Sequence, residues 1–260
     1  MPNKIKYYFY YCGGLLTRGF TDLFFNKARF KSFSSFVNSY KISYELNSKS
    51  TLLPQIEMCA IESLKDKKIE ITIENWNFRQ GNMTLYELYC ICALAKAYNP
   101  HNILEIGTFD GQTAYHLALN TGTQCKIHTI DLPHEELGKT KYDIASGDSE
   151  LIVKKGFESG MRFKNSPFTD RIIQYFADSA KFDYSTLQNK IDIAFIDGAH
   201  SYFYVKSDTE NILKILKPGG IILWHDYGSV LDVAEYLNEL SKDLELFRIK
   251  DTSLVMFKGT

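Results

Sequence analysis

The stretch Ile103-Leu104-Glu105-Ile106-Gly107-Thr108-Phe109-Asp110-Gly111-Gln112-Thr113 decides the fold. A short, mostly apolar run reads as a strand, Gly107 to Gly111 as a tight turn, and Gln112 onward as the start of a helix. In an open α/β sheet this is where ligands bind, beyond the carboxyl ends of the strands at the switch in strand order. A dinucleotide fingerprint uses its second glycine to let backbone approach a pyrophosphate, and Phe109 stands at that position here. The turn suits a ligand that needs a sharp bend but carries no diphosphate.

Outward from this stretch, short apolar runs alternate with helical patterns, the signature of a parallel sheet with crossover helices. Strands are expected at Asn102–Ile106, Lys126–Ile130, Arg171–Phe176, Ile191–Ile196 and Gly220–Trp224, with a closing pair at Leu244–Ile249 and Leu254–Lys258. Several are continuously apolar, as when both sheet faces are covered. Helices are expected at Gln112–Asn120, Ser149–Ser159, Ala180–Leu187 and Tyr202–Leu216, the last stopped by Lys217-Pro218-Gly219-Gly220. Upstream, Leu85, Leu88, Tyr89, Cys92 and Ala95 mark an amphipathic helix ended by Asn99-Pro100; residues 41–83 read as helices and a loop over the sheet, with a helix expected at Pro54–Leu64.

Glu105, Asp131 and Asp178 end three successive strands. S-adenosylmethionine fits such a ring. Glu105 orients the turn or meets the methionine end, Asp131 takes both ribose hydroxyls, and Asp178 accepts from the adenine amino group. Gly107, Thr108, Phe109, Gly111 and Thr113 of the turn, Ser179 and Asp197 complete the expected cofactor set. Any one acid alone reads equally well as a helix cap or loop residue. Two further acids, Asp197 in Asp197-Gly198-Ala199-His200 and Asp226 in Trp224-His225-Asp226-Tyr227, end neighbouring strands and should approach each other at the methyl end. Two hard oxygen ligands with waters and acceptor oxygens can hold Mg²⁺ or Mn²⁺. His200 either caps the following helix or serves as a general base, and an imidazole of ordinary pKa is matched to proton removal near pH 7. The loop Leu132–Asp148 reads as a substrate lid or as plain solvated surface.

These motifs, with Leu216-Lys217-Pro218-Gly219-Gly220, resemble class I S-adenosylmethionine-dependent methyltransferases, and more narrowly the branch of macrolide-sugar O-methyltransferases and cephalosporin-biosynthesis methyltransferases. The resemblance covers roughly Thr84 to Lys258. It implies a doubly wound, Rossmann-like, seven-stranded and mostly parallel α/β sheet with an antiparallel edge strand. It further implies a divalent metal on Asp197 and Asp226, His200 as base with Asp197 beside it, and a hydroxyl of a small or sugar-like acceptor as methyl recipient. His225 departs from the acid found in some sugar-modifying relatives, which leaves the third metal ligand open. A nicotinamide-dependent oxidoreductase fits the sheet but not the missing second glycine, and a binding protein without chemistry stays open until turnover is measured.

Residues 84–260 are therefore read as the catalytic domain and 1–83 as an N-terminal extension. Residues 1–40 carry a net +5 against −6 for the remainder, and 12 of the 37 aromatics. That composition suggests an arm packed on the domain, on a second subunit in a homo-oligomer, or against a membrane surface. Its apolar run is broken by Gly13 and Gly14 and is too short to span a bilayer. A formal net charge of −1 argues against a nucleic-acid binder. Five cysteines without paired CxxC spacing favour reduced thiols and the cytoplasm.

Overall fold

The computed structural model describes residues 37, 41–65, 67–77, 79–155 and 158–260. The chain forms two compact units, Met1–Asn47 and Ser48–Thr260. Of the first, residues 37 and 41–47 are described and are helical. The basic, aromatic stretch expected to act as an arm otherwise lies outside the described residues.

The second unit is built on eight strands: β1 (Gln55–Ile56), β2 (Asn102–Ile106), β3 (Lys126–Asp131), β4 (Ile172–Phe176), β5 (Ile191–Ile196), β6 (Leu216–Trp224), β7 (Leu246–Ile249) and β8 (Val255–Lys258). They lie in the order β1-β7-β8-β6-β5-β2-β3-β4. All neighbouring pairs run parallel except those made by β8, which is antiparallel to β6 and β7. The expected doubly wound sheet is present, with its one antiparallel strand toward the expected edge. The strand count is eight rather than seven because β1 pairs with β7 beyond it.

That extra strand corrects the helix expected over Pro54–Leu64. The Pro54 and Ile56 carbonyls accept from the Arg248 and Lys250 amides, so this segment satisfies its backbone on the sheet edge. Only a short 3-10 turn, Met58–Ala60, follows. Ile61 and Met83 are buried in the core, so residues 48–83 belong to the compact unit with 84–260.

Among the described residues six α-helices lie between these strands: α1 (Leu85–Tyr98), α2 (Gln112–Asn120), α3 (Ser146–Lys155), α4 (Met161–Lys164), α5 (Tyr202–Ile215) and α6 (Leu231–Leu240). α1 packs on α2 and α5 on α6. α1 opens with a reciprocal capping box, Thr84 accepting from the Glu87 amide and Glu87 from the Thr84 amide, and closes at Asn99 in the left-handed conformation before Pro100. The helix expected at Ala180–Leu187 is reduced to a 3-10 turn at Tyr184–Leu187, because the Asp178 and Asp183 side chains take the Ala180 and Ser185 amides and offer the backbone an alternative to a helix ladder. Sequence reading also missed α4 and α6.

The core is formed by α1 and α2 against β2, β3, β5 and β6, with Leu88, Leu94, Ile103, Leu117, Ile127 and Ile221 fully buried. Trp224 belongs to packing, with its indole N–H donated to Thr209 Oγ1 at 2.9 Å. Cys90, Cys92 and Cys125 are buried free thiols and Cys59 is an exposed one. Among the described residues no helix is long and apolar enough to cross a membrane.

Candidate active site

The chain runs from β2 outward to β4 and then returns to β5 on the other side of β2, so the switch in strand order falls between β2 and β5. Backbone contacts continue past the strand ends there: the Asp197 amide donates to Ile106 O at 2.9 Å and the His225 amide to Ile196 O at 3.1 Å. Gly107 has φ +99°, and a Cβ on it would stand 2.0 Å from the Asp197 carbonyl oxygen. Only glycine lets the two turns approach this closely.

A cavity of about 390 Å³ opens over this switch, lined by Gly107, Phe109, Asp131, Asp178, Ser179 and Asp197 of the expected cofactor set. The Asp131 carboxylate receives the Ser159 hydroxyl. Asp178 accepts from the amides of Lys141 and Ala180 and from the Tyr204 hydroxyl, at 2.8, 3.0 and 3.0 Å. Glu105, Thr108, Gly111 and Thr113 do not line the cavity. Glu105 is wholly buried behind the turn, with Thr129 donating to Oε2 and no partner on Oε1 among the described residues. Burial pushes its pKa well above the usual carboxylate range, and the Thr129 hydroxyl only partly counters this. Thr108 meets Thr129 at 2.6 Å, and Gly111 caps α2 with φ +87°.

The turn itself is clamped. Asp110 accepts from Arg162 Nε at 2.8 Å, Asn82 Nδ2 at 3.2 Å and the Gln112 amide at 3.1 Å. Phe109 holds a positive φ of 50°, unusual for a bulky residue. Its ring faces Gly81, where an added Cβ would stand 3.1 Å from Cζ.

At the far end of the cavity two imidazoles meet four carboxylates. His225 Nδ1 lies 3.1 Å from Asp197 Oδ1 and 3.2 Å from Asp226 Oδ2, while Nε2 lies 3.4 Å from Glu87 Oε2. His200 Nε2 is 2.9 Å from Asp226 Oδ2 and 3.6 Å from Asp197 Oδ1. Its Nδ1 lies 2.8 Å from Asp148 Oδ1, and its amide donates to Oδ2 of the same carboxylate at 2.9 Å. Burial disfavours charge on both imidazoles, but Asp148, Asp197 and Asp226 around His200, and Asp197, Asp226 and Glu87 around His225, hold both pKa values well above the ordinary range. Burial likewise opposes ionisation of Asp226, yet His200 and His225 hold it far below its usual value. Asp226 sits at φ +64°, a strained conformation for a residue other than glycine.

One ligand atom each from Asp197, His225 and Asp226 lie within 4.8 Å of one another, a spacing that admits a metal ion. Nδ1 faces the other two donors, while Nε2 faces Glu87. A metal-bound histidine commonly gives its second N–H to such a carboxylate. The negative charge of Asp148, Asp197, Asp226 and Glu87 exceeds what two imidazolium groups neutralise, so the residues present fit a cation.

The structure thus brings Asp197, His200, His225 and Asp226 together as the strand-end spacing implied. It adds two residues that sequence reading missed. Glu87 was legible in part, since Thr84-x-x-Glu87 is a capping-box pattern, but nothing in it pointed to His225. Asp148 begins α3 inside the loop read as a lid, with no spacing that ties it to His200.

A family model described as a methyltransferase domain matches residues 104–227. An Arabidopsis thaliana protein named as a caffeoyl-CoA O-methyltransferase is 27% identical over 198 residues, covering 73% of this chain and 76% of that protein. Tapetum-specific methyltransferase 1 of the same plant is 27% identical over 167 residues, covering 62% of this chain and 61% of its own length. A methyltransferase of Podospora anserina bound to S-adenosylhomocysteine superposes with a TM-score of 0.52 at 17% identity, covering 90% of this chain and 96% of that one, and shares the fold. The O-methyltransferase NovP does so with a TM-score of 0.51 at 15% identity, covering 67% of this chain and 79% of that one.

Proposed function

Because the chain carries a class I S-adenosylmethionine-dependent methyltransferase domain, we propose that it is an O-methyltransferase that methylates a hydroxyl of a small or sugar-like acceptor with the help of a divalent metal. The observation that carries this reading is a junction. The cofactor cavity and a second, more open cleft of about 550 Å³ share Asn82, His225 and Asp226 in their walls. A methyl donor in the first and an acceptor in the second would meet at the Asp197–His225–Asp226 cluster. Proximity of this kind is itself a large part of catalysis of a two-substrate transfer.

Asp131 and Asp178 are assigned to the ribose and adenine ends of S-adenosylmethionine, whose sulfonium supplies an already activated methyl group. Ser159 and Tyr204 fix these carboxylates in place before any ligand arrives. Asp197, His225 and Asp226 would hold the metal, which when bound supplies Lewis-acid stabilisation of negative charge on the acceptor oxygen. An imidazole beside two carboxylates shifts preference from Mg²⁺ toward Mn²⁺, because nitrogen is a softer donor than the oxygens Mg²⁺ favours. His200, oriented by Asp148 through Nδ1, presents Nε2 to the cluster; with a cation bound to offset the carboxylates that hold its pKa up, it would lose its own proton, and the neutral imidazole would take the acceptor proton there.

The test is turnover of methyl-labelled S-adenosylmethionine on sugar and phenolic acceptors before chelation, after it, and after Mg²⁺ or Mn²⁺ is restored. Transfer that survives chelation removes the metal from the reading. Tight S-adenosylhomocysteine binding with no transfer to any acceptor would leave a binding protein instead.

A further inference from the structure

The cleft that shares His225 and Asp226 with the cofactor cavity is lined on its far side by Arg248, Gly228, Ser229, Thr252 and Ser253. Arg248, on β7, is a cation fixed from behind. Its Nε donates to the Thr252 carbonyl at 2.8 Å and its Nη1 to the Ser50 carbonyl at 3.0 Å, and its guanidinium carbon lies 5.8 Å from the Tyr227 ring centre. These contacts use two of the five N–H donors a guanidinium carries. Among the described residues no carboxylate pairs with it, and no hydrogen-bond acceptor is found for Nη2. Gly228, at φ +105°, leaves Nη2 open: a Cβ on it would stand 3.4 Å from that nitrogen.

Two of the three acids on the same cleft are engaged elsewhere, and the third, Asp251, is exposed and forms no ion pair with Arg248. Glu87 is tied to Ser253 through Oε1 and to Thr84 through Oε2. Asp226 faces the two imidazoles. The cleft therefore presents an anionic cluster at one end and, at the other, an immobilised guanidinium that forms no ion pair among the described residues.

We propose that Arg248 is a specificity determinant for an acceptor that carries a carboxylate besides the hydroxyl to be methylated. This rests on the O-methyltransferase reading of the site. A carboxylate suits the remaining donors because N–H groups on Nη1 and Nη2 can meet its two oxygens, and the fixed guanidinium has little rotamer freedom left to lose on binding. Its distance from the reacting end would set which hydroxyl of the acceptor reaches the cluster.

The test uses the full chain loaded with S-adenosylhomocysteine and Mn²⁺, titrated with two acid and amide pairs: 3,4-dihydroxybenzoate with 3,4-dihydroxybenzamide, and glucuronate with glucuronamide. In at least one pair the acid should bind about ten times more tightly or better, as expected of a charge-assisted contact. Arg248→Gln should erase that preference, while leaving the affinities for the amide and for S-adenosylhomocysteine as they were. Ser229→Glu, at an exposed position on the cleft, should erase it too by offering the guanidinium a competing carboxylate. It decides the matter if Arg248→Gln does not fold. Equal binding of acid and amide in both pairs, no binding of any of the four, or preference retained in every variant that folds would overturn the proposal. Binding is read without turnover, so an intact acid preference with no methyl transfer would overturn the O-methyltransferase reading and leave the Arg248 subsite standing.

Discussion

The two ends of the cavity hold their acids in opposite ways. At the end assigned to the cofactor, Asp131 and Asp178 accept hydrogen bonds from a serine, two backbone amides and a tyrosine, with the Lys181 ammonium 3.9 Å from Asp178 Oδ2 as an added charge. At the other end Asp197 and Asp226 are met by imidazoles whose pKa values they raise. The first arrangement fixes position and leaves a carboxylate able to exchange one neutral donor for another. The second stores a charge imbalance that only a cation or a proton relieves. On the proposed reading, one fold supplies a recognition surface and a reactive centre from the same kind of residue at the same kind of strand end.

The sharpest way to break this contrast is Asp226→Asn, at a proposed metal ligand outside the expected cofactor set. It should lower turnover of an identified acceptor by roughly 10² to 10⁴ and abolish the response to Mn²⁺, while S-adenosylhomocysteine affinity measured by titration stays within about twofold. A comparable loss of cofactor affinity would mean that the two ends are not separable.

Asp208 tests the seam beneath them. It is fully buried on α5, neither oxygen has a hydrogen-bond partner among the described residues, and burial pushes its pKa up to about 7. An acid whose folded pKa lies above its unfolded value costs no stability below about pH 4, where both states are protonated. The cost grows as pH rises through the window to about 7, because the unfolded chain releases the proton first. Asp208→Asn should thus match the parent in thermal unfolding near pH 4 and exceed it by a few kcal/mol at pH 8. A constant difference across that range would contradict the buried, protonated state.

At the cofactor end Asp131→Ala should weaken S-adenosylmethionine binding by about 1 to 3 kcal/mol, the usual effect of deleting a charge-assisted acceptor, and leave metal binding unchanged. An unaltered dissociation constant would move the ribose site elsewhere. The smallest effect is expected from Thr84→Ala, which removes the α1 cap and frees one oxygen of Glu87. A loss of about 1 kcal/mol in denaturant unfolding would fit the cap alone. A fall in metal affinity beyond that would show that Glu87 orients His225.

The sheet was legible because several strands are largely apolar runs with an acid close to the end: Ile191–Ile196 carries its own boundaries in Lys190 and Asp197. The short edge strand Gln55–Ile56 carried no such signal, since two residues have no periodicity and their pairing with β7 is set by partners nearly 200 residues away. The site divides the same way. Residues fixed at strand ends were found from spacing. Glu87 and Asp148 reach the cluster from a helix cap and from the start of α3, and only the tertiary arrangement shows what they touch. Glu105 lay between these cases: its position was legible, but its burial behind the turn against Thr129 was not.

α3 has a consequence for timing. Leu151 and Ile152 of this helix help roof the cofactor cavity, and Asp148, on its first turn, holds His200 through two contacts. On the proposed reading, the helix that encloses the methyl donor also aligns the group that receives the proton. If α3 lifts to release spent donor, that alignment is given up in the same movement. The enzyme would then be obliged to take donor before acceptor and to reset its base once in every cycle. Its slow step would be the traffic of a helix rather than the breaking of a bond.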